Sequence, residues 1–365
     1  MYPTDKTVVV GMSGGVDSSV AAYLLKEQGY SVIGVTMHIW QDEDPEKIAA
    51  ENGCCGLSAV EDARRVSEII GIPHYVMDFR KEFQQNVIDY FSEEYIHGRT
   101  PNPCIACNRY VKWGALLKRS AQIGASFIAT GHYAGVELLK NGRYSVRRSE
   151  SQKDQTYALF NLTQDQLRCT LMPLGGFEKA SVREIAERAG LPVSQKRDSQ
   201  EICFIPDHDH ASFIERERGK DVCAPGNFIS ADGQVLGRHK GIIHYTIGQR
   251  RGLNLPVGRH IYVTGIRPET NEVVLGYADE VFSESLEADC LNFMSVSEDD
   301  FPVGSRKRLW GKIRYRHEGE WCMVTRIDAD RLEAVFEKPV RAVTPGQAAV
   351  FYDGDYIFAG GTICS

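Results

Sequence analysis

The stretch VVVGMSGGVDSSVAAYLL, Val8 to Leu25, constrains the fold more than any other part of this 365-residue chain. A β-branched run stops at Gly11, crosses small and polar residues, and resumes with apolar spacing that suits a helix from Ser18 to Gln28. A strand that feeds a glycine-rich loop and then a helix opens a parallel α/β unit. In the loop, Gly11, Gly14 and Gly15 let the backbone turn tightly, while N–H groups and the helix start face an anion. Ser13 and Ser18 add hydroxyl donors, and Asp17 can hold Mg²⁺ bound to phosphate oxygens. The bland alternative is a tight turn with a serine-rich helix start, which the order SGGxDS straight after an apolar strand disfavours. Because the motif lacks the lysine of a GxxxxGK[ST] loop, it suits a pyrophosphate that leaves as a unit. Adenylation, rather than phosphoryl transfer, is the chemistry that follows.

The alternation continues after this opening. Strands are expected at Val8–Val10, Val32–His38 and His74–Asp78, and helices at Ser58–Ile70, Phe83–Ile96 and about Asn108–Ile123. SFIATGHYA, Ser126 to Ala134, then reads as a further strand. Such a pattern predicts a doubly wound parallel sheet, whose ligands bind at the C-terminal strand ends, where the first loop, Met37 and Gly131 converge. SVREIAERAG adds a helix, followed by an irregular loop with Cys203. Beyond about Pro206 the texture changes to short alternating runs and glycines: GQVLG, IIHYTIG, HIYVTGI, EVVLG, RLEAVFEKPV and AAVFYDGDYIFAGGTI. Those read as the short strands of small β-domains. With breaks near Pro206–Asp209 and Val281–Ser285, three domains are expected, at 1–206, 207–282 and 283–365.

No apolar run approaches the roughly eighteen residues that would span a bilayer, and the N-terminus has no signal-peptide pattern, so a cytoplasmic protein without a membrane partner is expected. Net charge is −7, which does not advertise a nucleic-acid binder. A local basic face still can hold a polyanion, because screening limits distant charges to about 8 Å. In RKRLWGKIRYRHEGEW, strand alternation would put Arg306, Arg308, Trp310, Lys312, Arg314 and Arg316 on one face, and Leu309, Ile313 and Tyr315 on the other. Cations in a row with an aromatic suit phosphate contact and base stacking, against the alternative of a solvated barrel face. GRHKG and GQRRG are two further basic turns.

The ten cysteines are scattered, and a chain this long needs no disulfides for its core. Three lie beside the expected crevice: Cys104 and Cys107 in TPNPCIACNRYVKWG, and Cys203 in DSQEICFIP. The first pair is expected just ahead of a helix, whose N-terminal N–H groups favour thiolate. A thiolate can carry a persulfide, attack one, or ligate a metal. Structural zinc ranks low, because no second CxxC or HxxxH pair completes four ligands. Cys54 and Cys55 read as small buried residues.

SGGVDS after a strand resembles the loop of the N-type ATP pyrophosphatase superfamily, whose members amidate or sulfurate adenylated substrates. GMSGGVDSS, the TPNP-to-CNRxxKxG segment, ATGHYA, KDQTYAL, RDSQEICFI, HYTIGQRRGL and TPGQAAVFYDGD together resemble, end to end, the tRNA-specific 2-thiouridylase family. The resemblance implies a pyrophosphatase domain, a small central domain and a C-terminal β-barrel. It implies ATP bound by Gly11, Met12, Ser13, Gly14, Gly15, Val16, Asp17 and Ser18, with Met37 and Gly131. Cys107 would be the nucleophile and Cys203 the persulfide carrier, with Asn102, Pro103 and Cys104 at the target base. His132, Lys153, Asp154, Gln155, Arg314, Tyr315 and Gln347 would contact tRNA.

Many family members carry Asp after PNP, where this chain has Cys104. Two routes therefore stand: a persulfide on Cys203 resolved by Cys107, or a [4Fe-4S] cluster on Cys104, Cys107 and Cys203 whose bound sulfide attacks. ATP and Mg²⁺ are the expected cofactors. Partners would be tRNA and a sulfur donor, either a cysteine desulfurase or a relay protein. The rival readings are an amidating ligase of the same superfamily and a non-catalytic, ATP-responsive tRNA-binding or metal-sensing protein.

Overall fold

The computed structural model describes residues 6–40, 57–196, 202–256 and 258–365. Cys54 and Cys55, and the Arg197–Glu201 part of the RDSQEICFI motif, lie outside the described residues. The chain divides into two compact units, one of residues 1–87, 104–206 and 355–357, the other of 88–103, 207–354 and 358–365.

In the first unit, β1 (Thr7–Gly11), β2 (Ser31–His38), β3 (His74–Asp78), β4 (Phe127–Ala129) and the short β7 (Thr170–Leu171) form a parallel sheet in the order β3-β2-β1-β4-β7. Val8, Val9 and Val10 are fully buried, as a central strand covered on both faces requires. Helices α1 (Val16–Glu27) and α2 (Leu57–Ile70) supply Val20, Ala21, Leu25, Ala63 and Val66 to the core, which Val182 and Ala186 extend. The chain runs from β1 to β2 and β3 on one side, then returns to place β4 on the other. The switch point, where ligands bind in such sheets, thus lies at the C-terminal ends of β1 and β4.

Two expectations from the sequence need correction here. SFIATGHYA is not one strand: β4 ends at Ala129, and β5 (Ala134–Leu138) starts a hairpin with β6 (Tyr144–Arg148). Thr130–Tyr133 between them is loop, and it carries Gly131 and His132. Nor do the paired cysteines precede their helix. It starts at Pro103, a residue suited to a first helical position, and runs π-wound from Cys107 to Leu116, then α-helical through Leu117–Gln122. Phe83–Ile96 is likewise helical with a π segment, at Gln84–Ile88. Long π segments are uncommon and often sit at functional sites.

In the second unit, β8 (Asn227–Ser230), β9 (Val235–Arg238), β10 (Tyr262–Arg267) and β11 (Glu272–Gly276) form a small sheet in the order β10-β11-β8-β9. IIHYTIG is not a strand but a short 3₁₀ turn at Ile242–His244, and its Ile242 and Tyr245 join the small core. His210–Arg218 forms a helix that the sequence reading passed over, with the Asp209 side chain accepting from Ser212 N at 3.0 Å as its cap. The last six strands, β12 (Phe282–Phe293), β13 (Arg306–Lys312), β14 (Glu320–Arg326), β15 (Leu332–Arg341), β16 (Ala348–Asp353) and β17 (Tyr356–Ile363), run β12-β15-β14-β13-β16-β17. Pairing of β12 with β17 closes them into a barrel around Leu309, Val324, Phe336 and Phe351.

Candidate active site

The phosphate loop sits at the switch point of the first unit. Thr36 Oγ1 donates to Met12 O at 3.0 Å, so its only proton is used, and His74 Nε2 at 2.9 Å must be the donor to the same oxygen. Burial, then Arg64, lowers the His74 pKa, in keeping with that neutral ring. Beyond Met12 the backbone turns through Gly14 at φ +66°, where an added Cβ would lie 2.3 Å from Ala59 O. Ser13 N donates to Ser18 Oγ at 3.1 Å, and Ser19 Oγ donates to Gly15 O at 2.8 Å. These bonds tie the loop to the first turn of α1, whose N-terminal N–H groups remain the anion-facing ones.

Gly131 closes the other side of the site. A Cβ there would lie 2.5 Å from Ser18 N and 2.6 Å from the Asp17 carbonyl carbon, so only glycine permits this approach to α1. Met37 lies at the C-terminal end of β2, paired in register with Met77. The loop residues, Met37 and Gly131 thus belong to one unit and one sheet edge.

Asp17 is more heavily engaged than the sequence suggested. Its Oδ1 accepts from Lys179 Nζ at 2.6 Å and from Tyr133 OH at 2.7 Å. Lys196 Nζ donates to Gly14 O at 3.0 Å and reaches Asp62 Oδ2 at 2.7 Å. Sequence reading missed Lys179, Lys196 and Tyr133; the local signals were that Tyr133 lies within the ATGHYA motif and that Lys196 directly abuts the RDSQEICFI motif.

Cys107 is buried, Cys104 is exposed and Cys203 is intermediate, and none of the three is disulfide-bonded. Next to Cys107, Asn108 Nδ2 donates to Ala158 O at 2.8 Å and its Oδ1 accepts from Lys112 Nζ at 2.9 Å, which fixes the start of the π segment. Arg80–Phe83 packs on that segment, and Phe83 meets Phe204 edge-to-face at 5.5 Å. Phe204, next to Cys203, thus packs on the short helix that lies against the π segment beginning at Cys107. The cluster expectation is corrected: among the described residues Cys104, Cys107 and Cys203 do not come together as a group able to hold a metal. They do not fit a [4Fe-4S] cluster.

The residues expected at tRNA divide between the units. In the first, Gln155 clasps the main chain of Tyr133, donating its N–H to Tyr133 O at 3.0 Å and accepting from Tyr133 N at 2.9 Å through Oε1. It thereby positions the loop with His132, whose ring packs 5.7 Å from Trp113 and whose Nδ1 meets Thr130 Oγ1 at 2.7 Å. Burial, then Lys112, holds the His132 pKa well below its ordinary value, so the imidazole is neutral and is no cation for phosphate. Asp154 is a loop organiser, accepting from Thr156 Oγ1 at 2.8 Å and Ser149 N at 3.2 Å, beside Lys153, whose N–H donates to Ser151 Oγ at 3.2 Å.

In the second unit, Gln347 Nε2 donates to Thr100 O at 2.8 Å, and Thr100 N donates to Pro345 O at 2.8 Å. Gln347 is thus held beside the segment that carries Asn102 and Pro103. Arg314 Nη1 donates to Arg341 O at 2.6 Å. The basic row is shorter than expected, because β13 ends at Lys312 and Arg314, Tyr315 and Arg316 lie in the turn to β14. Tyr315 is consequently exposed rather than facing inward with Leu309 and Ile313. Along the strand itself alternation holds: Arg306 and Arg308 face outward while Leu309 is buried. Arg308 lies 4.0 Å over the Trp321 ring, and Trp321 meets Trp310 edge-to-face at 5.4 Å.

Family models described as tRNA methyl transferase HUP domain, tRNA methyl transferase PRC-barrel domain and aminomethyltransferase beta-barrel domain match residues 6–207, 211–277 and 283–363. A tRNA-specific 2-thiouridylase of Lachnoclostridium phytofermentans is 60% identical over 359 residues, covering 98% of this chain and 99% of that protein. The chain belongs to the tRNA-specific 2-thiouridylase family. Thiouridylases of Thermoanaerobacter sp. and Clostridium acetobutylicum are 54% and 53% identical, covering 98% of this chain and 97% and 99% of theirs. In this thiouridylase the HUP match takes in the parallel sheet with the phosphate loop at its switch point. The methyl transfer in two of the model descriptions is not carried over, since the relatives aligned along the whole chain are thiouridylases.

Proposed function

We propose that this thiouridylase uses ATP to replace the C2 oxygen of the wobble uridine of tRNA with sulfur. The observation that carries the reading is identity of 53–60% with tRNA-specific 2-thiouridylases along essentially the whole chain. The uridine O2 attacks the α-phosphorus of ATP, and pyrophosphate leaves. Loop N–H groups, the start of α1 and Ser13 and Ser18 hold the departing phosphates. Gly131 and Met37 border the nucleotide at the same sheet edge. The hydrogen bonds to Asp17 fall on Oδ1, so Oδ2 is the oxygen that would meet Mg²⁺, which neutralises phosphate charge when bound.

Cys203 accepts a sulfane sulfur from a cysteine desulfurase or a relay protein. The terminal sulfur of that persulfide attacks C2, and AMP leaves. The Cys107 thiolate then attacks Cys203 Sγ, so the sulfur stays on the base and a Cys107–Cys203 disulfide forms. An external thiol reductant restores both thiols. Asn102, Pro103 and Cys104 meet the base, while His132, Lys153, Asp154, Gln155, Arg314, Tyr315 and Gln347 contact the tRNA. The domains are 1–206, 207–282 and 283–365, and the reaction takes place in the cytoplasm. Among the described residues no helix is long and apolar enough to cross a membrane.

The test supplies unmodified tRNA, ATP, Mg²⁺ and a persulfide source, and follows nucleosides by mass spectrometry and pyrophosphate release in parallel. Wild type makes 2-thiouridine. Cys203→Ser makes none yet still releases pyrophosphate. Thiouridine formed at the wild-type rate by Cys203→Ser would overturn the persulfide assignment, and wild type that forms none with a competent donor would overturn the function.

A further inference from the structure

The lysine absent from SGGVDS is brought to the loop from elsewhere in the chain. Lys179 stands at the first position of the helix Lys179–Arg188, and its Nζ lies 2.6 Å from Asp17 Oδ1, with only 14% of its side chain exposed. Lys196 comes from beyond that helix, and its Nζ bonds Gly14 O at 3.0 Å and Asp62 Oδ2 at 2.7 Å. One ammonium is thus at the tip of the loop and the other at the first turn of α1, where a phosphate chain cradled by this loop would run. Neither position is accidental in the packing. Arg183 pins the backbone that carries Lys196, donating to Ser194 O at 2.6 Å and to Lys196 O at 2.9 Å.

We propose that Lys179 and Lys196 are the cationic contacts to the ATP phosphates and, at the adenylation step, to the leaving pyrophosphate. The proposal rests on the reading of the loop as the ATP site. Burying an ammonium is costly unless it is paired, and here Lys179 pairs with Asp17 and Lys196 with Asp62. An ammonium with three protons can turn one toward a phosphate oxygen while keeping a present partner. Charge grows on the bridging oxygen as pyrophosphate departs, so both lysines stabilise the transition state more than the bound substrate. Lysine suits a point contact to phosphate that a lysine-free motif leaves unfilled. The cations that the motif itself does not carry thus come to the loop from distant positions in the chain.

The test measures binding of adenosine, ATP and inorganic pyrophosphate by calorimetry to wild type, Lys179→Met, Lys196→Met, and the Gln and Arg variants at each position. Met and Gln variants are expected to lose about tenfold or more in affinity for ATP and for pyrophosphate, the loss of one charged hydrogen bond. Adenosine affinity stays within twofold of wild type, and Arg recovers part of the loss. Pyrophosphate release with tRNA falls more than ATP affinity does. If a Met variant does not fold, the Gln variant, which can still donate to Gly14 O or Asp17, reads the charge alone. Variants that bind ATP and pyrophosphate as wild type does, or that lose adenosine in parallel with ATP, overturn the assignment. Wild type that binds neither ATP nor pyrophosphate would instead overturn the reading of the loop itself.

Discussion

Replacing Gly131 with alanine tests whether the approach of the β4 loop to α1 builds the nucleotide site. The new methyl would sit 2.5 Å from Ser18 N, 2.6 Å from the Asp17 carbonyl carbon and 3.0 Å from Asp17 Cβ. Two of those three neighbours are backbone atoms at the start of a helix, so no rotamer change relieves the overlap. Either the 130–133 loop or the first turn of α1 must move by roughly one ångström, a shift that in a packed site costs about 1–3 kcal/mol. For a unit of this size that lowers the melting temperature by roughly 2–4 °C per kcal/mol. A misplacement of about 1 Å at reacting groups costs on the order of 10²-fold in rate. Gly131→Ala is therefore expected to stay folded, melt several degrees lower, bind ATP more weakly and release pyrophosphate about 10²-fold more slowly. Gly176→Ala is the control, since a Cβ there meets nothing within 4 Å. Calorimetry, circular-dichroism melting and a coupled pyrophosphate assay read the three effects. Wild-type ATP affinity and rate in Gly131→Ala would refute the reasoning.

Two further outcomes are expected from the second unit. Arg314→Glu should weaken tRNA binding in a filter or gel assay, by about tenfold at low salt and less as salt screens the phosphates, while ATP affinity is unchanged; undiminished tRNA affinity would count against this turn. His317 titrates at about 4, pushed down first by burial, then by Arg314 and Lys312 against the opposing Glu320, and Ile313 N donates to its Nδ1 at 3.4 Å. Its folded pKa is below the unfolded one, so the unfolded chain binds the proton first as pH falls. The neutral ring contributes stability above about pH 6.5 that is lost between there and about pH 4. His317→Asn should flatten the melting temperature over that window, and an unaltered slope would dismiss this histidine as its source.

The strand, loop and helix of the phosphate site are legible from residues 8–25 because their causes are local: a β-branched run, glycines where the turn requires them, and apolar spacing at a helical period. The parallel sheet and the later barrel strands follow from the same periodicities, and the outward Arg306 and Arg308 from simple alternation. Misreadings fell where the chain departs from regular winding. SFIATGHYA keeps strand-like composition across a loop, and the PNPC helix begins earlier because Pro103 itself opens it. Periodicity carries no mark of such breaks, which are set by the neighbours each residue meets. The sequence by itself determined that this chain has a nucleotide-phosphate loop, and its motifs placed it among tRNA thiolases. Only the tertiary structure decided that Lys179, Lys196 and Tyr133 complete that loop, that Gln155 holds the His132 loop, and that three cysteines do not make a metal site. Those relations join residues up to 182 positions apart, through single polar contacts that leave no periodic trace in the chain.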